Sequence, residues 1–207
     1  LEENMLGDPS SRQVAIYLPQ NWKESGKEYP LFVDLVGYTG SGFAHTNWKP
    51  FAESIPQRVE RLVAEGKMGE VIVALPDCFT TLGGNQYINS LAVGNWADFL
   101  VKEMIPSIEE EFPVKKGKEN RGVFGKSSGG YGAIVHGMLY SDYWGVLACH
   151  SGDMGFESLF MGDFPKSVTH LEKHGGIQGF LDHVKSSKKM SHDDFHVLMM
   201  VAMGAFY

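Results

Sequence analysis

The stretch from Arg121 to Gly132, Arg-Gly-Val-Phe-Gly-Lys-Ser-Ser-Gly-Gly-Tyr-Gly, constrains this chain more than any other. A short apolar run, a glycine-flanked serine and a small-residue run in direct succession read as strand, sharp turn and helix. Gly125-Lys126-Ser127-Ser128-Gly129 fits G-x-S-x-G, the spacing of a nucleophile elbow. The spacing has a physical cause. A serine raised at the end of a strand needs a strained backbone turn, and a glycine two residues to either side leaves room for it. The following helix aims its first amides at the point where a negative oxygen would develop. Ser127 is the candidate nucleophile.

Gly125-Lys126-Ser127 also matches the end of a phosphate-binding loop, but Asn120 stands where that pattern needs glycine, so that reading is set aside. A plain glycine-rich strand-to-helix turn is the bland alternative. The flanking Val123-Phe124 and Gly132-Ala133-Ile134-Val135 count against it.

Apolar runs at Val14–Leu18, Leu31–Val36, Val71–Leu75 and Gly145–Cys149 read as strands, the middle ones nearly continuous, as in a parallel sheet covered on both faces. Helical patterns lie between them. Trp96, Leu100, Met104, Ile108 and Phe112 recur every four residues, with Asn95 placed to cap their helix. A second helix is expected over Lys49–Glu65 despite Pro56. This alternation predicts a doubly wound, mostly parallel α/β sheet, with ligands at the carboxyl ends of its strands. No repeat or linker divides the 207 residues, so one domain over 1–207 is expected.

A net charge of −7 argues against nucleic acid as a partner, because phosphate binding needs clustered Lys and Arg; only Lys185, Lys188 and Lys189 group, as a solvated helix end. Cys78 and Cys149 make no disulfide framework and read as buried thiols. No apolar run is long enough for a membrane span and no leader is visible, which makes the cytoplasm the default compartment; the chain begins at Leu1 rather than Met, so an upstream segment removed from it stays open. Oligomeric state is not readable. Phe195–Tyr207 is almost wholly apolar and stops without a polar tail, so a longer protein is expected, incomplete here at its C-terminus.

Taken together, several segments resemble the esterase D-like branch of the α/β-hydrolase superfamily, with its enterochelin-esterase-like and S-formylglutathione-hydrolase-like members. They are Leu6–Pro9 leading into Val14–Pro19, then Leu31–Gly40, Val71–Asp77, Gly83–Ser90, Asp98–Pro106 and Gly125–Gly132, in that order along nearly the whole chain. The resemblance implies an α/β-hydrolase fold and a carboxylic ester hydrolase that works through a serine acyl-enzyme. Its substrate would be a small-molecule ester or thioester, and it would use no cofactor. Ser127 matches the family nucleophile. The backbone N–H of Ser128 and that of Tyr38, after Gly37, match the oxyanion hole.

The chain has Val36-Gly37 where many relatives have His-Gly, and Lys126 where many have His; neither change removes a backbone donor. The family order is serine, acid, histidine, and neither the acid nor the histidine is identifiable, so both are expected beyond Tyr207. His150 and Asp153 in Cys149-His-Ser-Gly-Asp153 are the weaker alternative for these roles. A catalytically inactive binding module or an acyltransferase are the competing functions. Trp48, Asn85 and Tyr87 are candidates to shape the substrate pocket. His45 and His136 read as a loop and a helix residue. His170 with His174, and His192 with His196, share an i, i+4 spacing, yet H-E-x-x-H is absent and no metal is expected. Ser191 before Asp193 and Asp194 reads as a helix start.

Overall fold

The computed structural model describes Leu1 and residues 4–207. Five strands form the central sheet: β1 (Val14–Tyr17), β2 (Leu31–Leu35), β3 (Ile72–Pro76), β6 (Arg121–Lys126) and β7 (Val146–His150). A two-stranded ribbon, β4 (Asn89–Ser90) with β5 (Gly94–Asn95), stands apart. The sheet order is β1-β3-β2-β6-β7, with only β1 antiparallel to its neighbour. Every expected strand is present, shifted at its ends by a residue at most. Leu31, Val33, Leu35, Ile72, Ala74 and Leu75 have no exposed surface, as the near-continuous apolar runs require.

The helix between β2 and β3 is shorter than expected. α1 (Ile55–Ala64) starts after Ser54, whose hydroxyl accepts the Gln57 N–H while the Gln57 side chain accepts the Ser54 N–H. Pro56 therefore sits in the first turn, where its missing N–H costs nothing, and residues 49–53 stay outside the helix.

Helical chain runs from Trp96 to Glu111 as α2 (Trp96–Asp98), a π-helical stretch (Phe99–Met104) and α3 (Ile105–Glu111). A strict four-residue repeat drifts ahead of a turn of about 3.6 residues. The wider i→i+5 turns of the π stretch take that drift back, so Trp96, Leu100, Met104 and Ile108 all stay buried. Asn95 does not cap this helix. Asn89 Oδ1 accepts the Asp98 N–H instead, brought there by the ribbon that pairs Asn89 with Asn95.

The sheet separates two apolar clusters. The smaller packs Val59 of α1 on Val71, Val73 and Leu75. The larger joins the opposite sheet face to the 96–111 helix and to the last helix. After β6 comes α4 (Ser128–Leu139), and after β7 come α5 (Phe156–Phe160), α6 (Phe164–Lys173), α7 (Ile177–Ser186) and α8 (His192–Phe206). α8 begins where expected, with Ser191 and Asp194 capping each other. β1 and β7 are the edges of this sheet, and Val146 and Leu147 of β7 are exposed. Among the described residues no helix is long and apolar enough to cross a membrane.

Candidate active site

β6 ends at Lys126 and α4 starts at Ser128, so Ser127 is the whole turn between them. Its backbone takes φ 57° and ψ −123°, a conformation that L-residues hold only when their surroundings impose it. The glycines on either side show what is imposed. A Cβ on Gly125 would lie 2.4 Å from the Gly129 carbonyl oxygen, and one on Gly129 only 1.8 Å from that of Leu35. The elbow is thus pressed directly against the end of β2. The Ser127 N–H donates to the His150 carbonyl at 3.0 Å, and the Ser127 carbonyl accepts the Tyr131 N–H at 2.9 Å, so both sides of the turn are pinned.

The loop after β2 lies over this serine. A Cβ on Gly37 would stand 3.3 Å from the Ser127 Cβ and 3.9 Å from its Oγ. The next residue, Tyr38, is 7% exposed, and its hydroxyl donates to the Leu82 carbonyl at 2.6 Å. Burial pushes the Tyr38 phenol well above its ordinary pKa, so it stays a neutral donor. Its ring packs edge-on against Phe195 of α8, centroids 5.6 Å apart, and its carbonyl accepts the Gly84 N–H. With its side chain occupied in this way, Tyr38 has its backbone N–H uncommitted among the described residues. The Ser128 N–H, in the first turn of α4, has no helical acceptor by position.

Asn85 and Tyr87, expected to line a substrate pocket, are each 1% exposed and belong to the framework below the site. Asn85 accepts the Tyr87 N–H and donates to the Cys78 carbonyl. The Tyr87 hydroxyl donates to the Val36 carbonyl at 2.7 Å, immediately before Gly37. Trp144 Nε1, which can only donate, points at His136 Nδ1 at 3.2 Å; the His136 proton therefore sits on Nε2, which donates to the Tyr87 carbonyl at 2.9 Å. A buried relay of hydrogen bonds thus runs from α4 through Tyr87 to the loop over Ser127. Trp48, the third pocket candidate, is 78% exposed on the surface.

Two contacts go beyond the sequence reading, which weighs Asp153 only as an acid partner and Asp34 not at all. Asp34 is 2% exposed in the apolar strand β2 and pairs with His45 Nδ1, closing the base of the loop that carries Tyr38. A lone carboxylate inside a buried strand needs a partner, and that signal was present in Leu31-Phe-Val-Asp-Leu35. Asp153, after β7, accepts the Ser127 hydroxyl on Oδ1 at 3.0 Å and the Ser128 hydroxyl on Oδ2 at 2.8 Å. No imidazole hydrogen-bonds Ser127 Oγ among the described residues. His150 is exposed and lines a groove with Phe32, Met68 and Phe124. Cys149 and His150 are neighbours on a strand and face opposite ways.

Beside the elbow, Tyr131 packs edge-on with Phe156 at 5.8 Å and with Tyr207 at 6.4 Å. Phe156 and Tyr207 open in turn onto an apolar cavity of about 510 Å³, walled also by Phe160, Phe164, Met200 and Met203. A larger cavity, about 590 Å³ between α6 and α8, contains none of these residues.

Comparison with known proteins fits this geometry. An esterase of Mycobacterium tuberculosis is 28% identical over 146 residues, which are 67% of this chain and 28% of that protein. An endo-1,4-beta-xylanase/feruloyl esterase of Xylanibacter ruminicola is 27% identical over 140 residues, 64% of this chain and 19% of that one. The chain therefore spans less than a third of the length of these relatives. Among solved structures, a ferulic acid esterase aligns with TM-score 0.59 and 24% identity over 68% of this chain and 53% of its own. The S-formylglutathione hydrolase of Staphylococcus aureus aligns with TM-score 0.54 and 19% identity over 93% and 68%. These likenesses show the α/β-hydrolase fold. The model of the family described as "Putative esterase" matches residues 8–167, more than three quarters of the sequence, and the chain belongs to that family.

Proposed function

We propose that the protein to which this domain belongs hydrolyses carboxylic esters through an acyl-enzyme on Ser127. The observation that carries the reading is the strained Ser127 turn, with its Oγ held beneath the Gly37–Tyr38 loop. Ser127 Oγ attacks the carbonyl carbon, and the carbonyl oxygen becomes an anion facing the N–H groups of Tyr38 and Ser128. Two such donors are worth about 3 kcal/mol each in the transition state. The tetrahedral species then expels the alcohol, which leaves with a proton. Water next attacks the ester on Ser127, releasing the acid and returning a proton to Oγ.

Asp153 orients the two serine hydroxyls; near neutral pH a carboxylate accepts an alcohol proton less readily than imidazole does, and the base is assigned to a histidine in the family manner. The apolar cavity behind Tyr131 supports an acyl group with an apolar or aromatic end. Small-molecule esters of that kind, which include the feruloyl class named in one relative, are the proposed substrates. Free thiols at Cys78 and Cys149 support a reducing compartment such as the cytoplasm.

The test is ester hydrolysis by the protein and by Ser127→Ala with p-nitrophenyl esters of short and of aromatic acids. Hydrolysis should fall by at least about a thousandfold in the variant. Unchanged turnover would remove Ser127 from the reaction. A second reading, a hydrolase-fold binding module without catalysis, is favoured by one observation: the Ser127 hydroxyl is bonded to a carboxylate rather than an imidazole. It predicts no turnover in either protein, with ester or acid ligands still bound.

A further inference from the structure

Helices α6, α7 and α8 bring four ligating side chains to one place, away from Ser127. His170 near the end of α6 and His174, the residue that caps it, lie one turn apart, ring centroids 5.0 Å apart. His183 of α7 comes within 4.4 Å of the His174 ring. Asp194, in the first turn of α8, reaches both outer imidazoles: Oδ1 is 2.9 Å from His170 Nε2 and Oδ2 is 3.6 Å from His183 Nε2. Ligand atoms of His170, His174 and Asp194 all lie within 4.8 Å of one another.

We propose that His170, His174, His183 and Asp194 form a binding site for a divalent transition-metal ion of the zinc type, independent of the chemistry at Ser127. The donor set argues for it. Three imidazoles and one carboxylate complete a four-coordinate N/O shell, the preference of zinc. The His174 ring lies against both other imidazoles and makes no side-chain hydrogen bond among the described residues, so its nitrogens are not committed to a hydrogen-bond network.

Around an ion with bonds of about 2 Å, tetrahedral donors sit roughly 3.3 Å apart, so His170, His174 and Asp194 are already gathered and His183 turns in to complete the shell. Outer support is present too. Ser191 donates its N–H and hydroxyl to Asp194 Oδ2, fixing the carboxylate, and the wholly buried Phe180 ring packs edge-on against His170 and His174. All three imidazoles are only partly buried, which leaves the ion a path in from solvent.

The sequence alone pointed to His170 and His174 and then set them aside. His183 and Asp194 join them only through the packing of three helices. In the other spaced pair, His192 with His196, Asp163 lies 3.1 Å from His196, and no third imidazole joins them among the described residues. Bound metal at the first site would clamp α6 and α7 to the start of α8, one residue before Phe195, which packs on Tyr38.

Cobalt(II) titration of the metal-free protein tests this, read by visible absorption. The site predicts ligand-field bands of tetrahedral intensity that saturate at one equivalent and are displaced by zinc. His174→Gln and His183→Gln should each weaken binding by at least about tenfold, while His192→Gln should leave it unchanged. The His174 ring makes no hydrogen bond among the described residues, so its variant should fold, and circular dichroism checks that it does. No stoichiometric band in the unaltered protein overturns the site, as does a band that survives in both variants or is lost only with His192→Gln.

Discussion

Ser127 holds a backbone conformation that costs about 1–3 kcal/mol, and the packing of Gly125 and Gly129 against Leu35 supplies the constraint. That cost is separable from the hydroxyl. Ser127→Ala keeps a Cβ at a positive φ, whereas Ser127→Gly removes it. The glycine variant is therefore expected to be more stable than the alanine variant by about 1 kcal/mol in urea unfolding. Equal stabilities would mean the elbow stores no strain. At this scale the sequence was most informative where chemistry is local. A nucleophile elbow needs its residues within five positions, so Ser127 was legible from a short string. Asn85 and Tyr87 were not, because a polar loop beside a strand end reads the same whether it faces a ligand or a buried carbonyl. Only the fold shows the Tyr87 hydroxyl spent on Val36 and the Asn85 side chain spent on Cys78 and Tyr87.

Between residue and molecule stand the elements that aim the site. α1 begins at a capping box rather than at Lys49, and Ser54→Ala should cost about 1 kcal/mol in urea unfolding, whereas Ser54→Thr, which keeps the capping hydroxyl, should retain most of the stability. A loss within error for the alanine variant would show that the helix start rests on packing of Val59 alone. The strands were readable because burial on both faces leaves one long apolar run. The cap of the 96–111 helix was misread because Asn89 reaches Asp98 through the β4–β5 ribbon, a tertiary contact that no periodicity records. The same limit hid the histidine cluster. An i, i+4 pair on α6 is visible in sequence, but its completion depends on where α7 and α8 pack.

For the molecule as a whole, the relay from Trp144 through His136 and Tyr87 to Val36 couples stability to the loop over Ser127. Burial, opposed in part by the hydrogen bond to the Tyr87 carbonyl, lowers the His136 pKa from 6.5 to about 4. The folded pKa lies below the unfolded one, so the unfolded chain binds more protons between these values. The contribution is complete above pH 6.5 and is lost as pH falls toward 4. The shift corresponds to about 3 kcal/mol. Urea unfolding at about pH 7 and about pH 4.5 should show a steeper loss for the protein than for His136→Asn, and parallel losses would remove His136 as the cause.

The reading of Ser127 as a nucleophile admits one direct measurement. The protein is treated with a fluorophosphonate probe, its intact mass is recorded, and the modified peptide is mapped. A single adduct on Ser127, absent from Ser127→Ala, is the predicted result. An unmodified protein, or an adduct carried by another serine, would contradict the account.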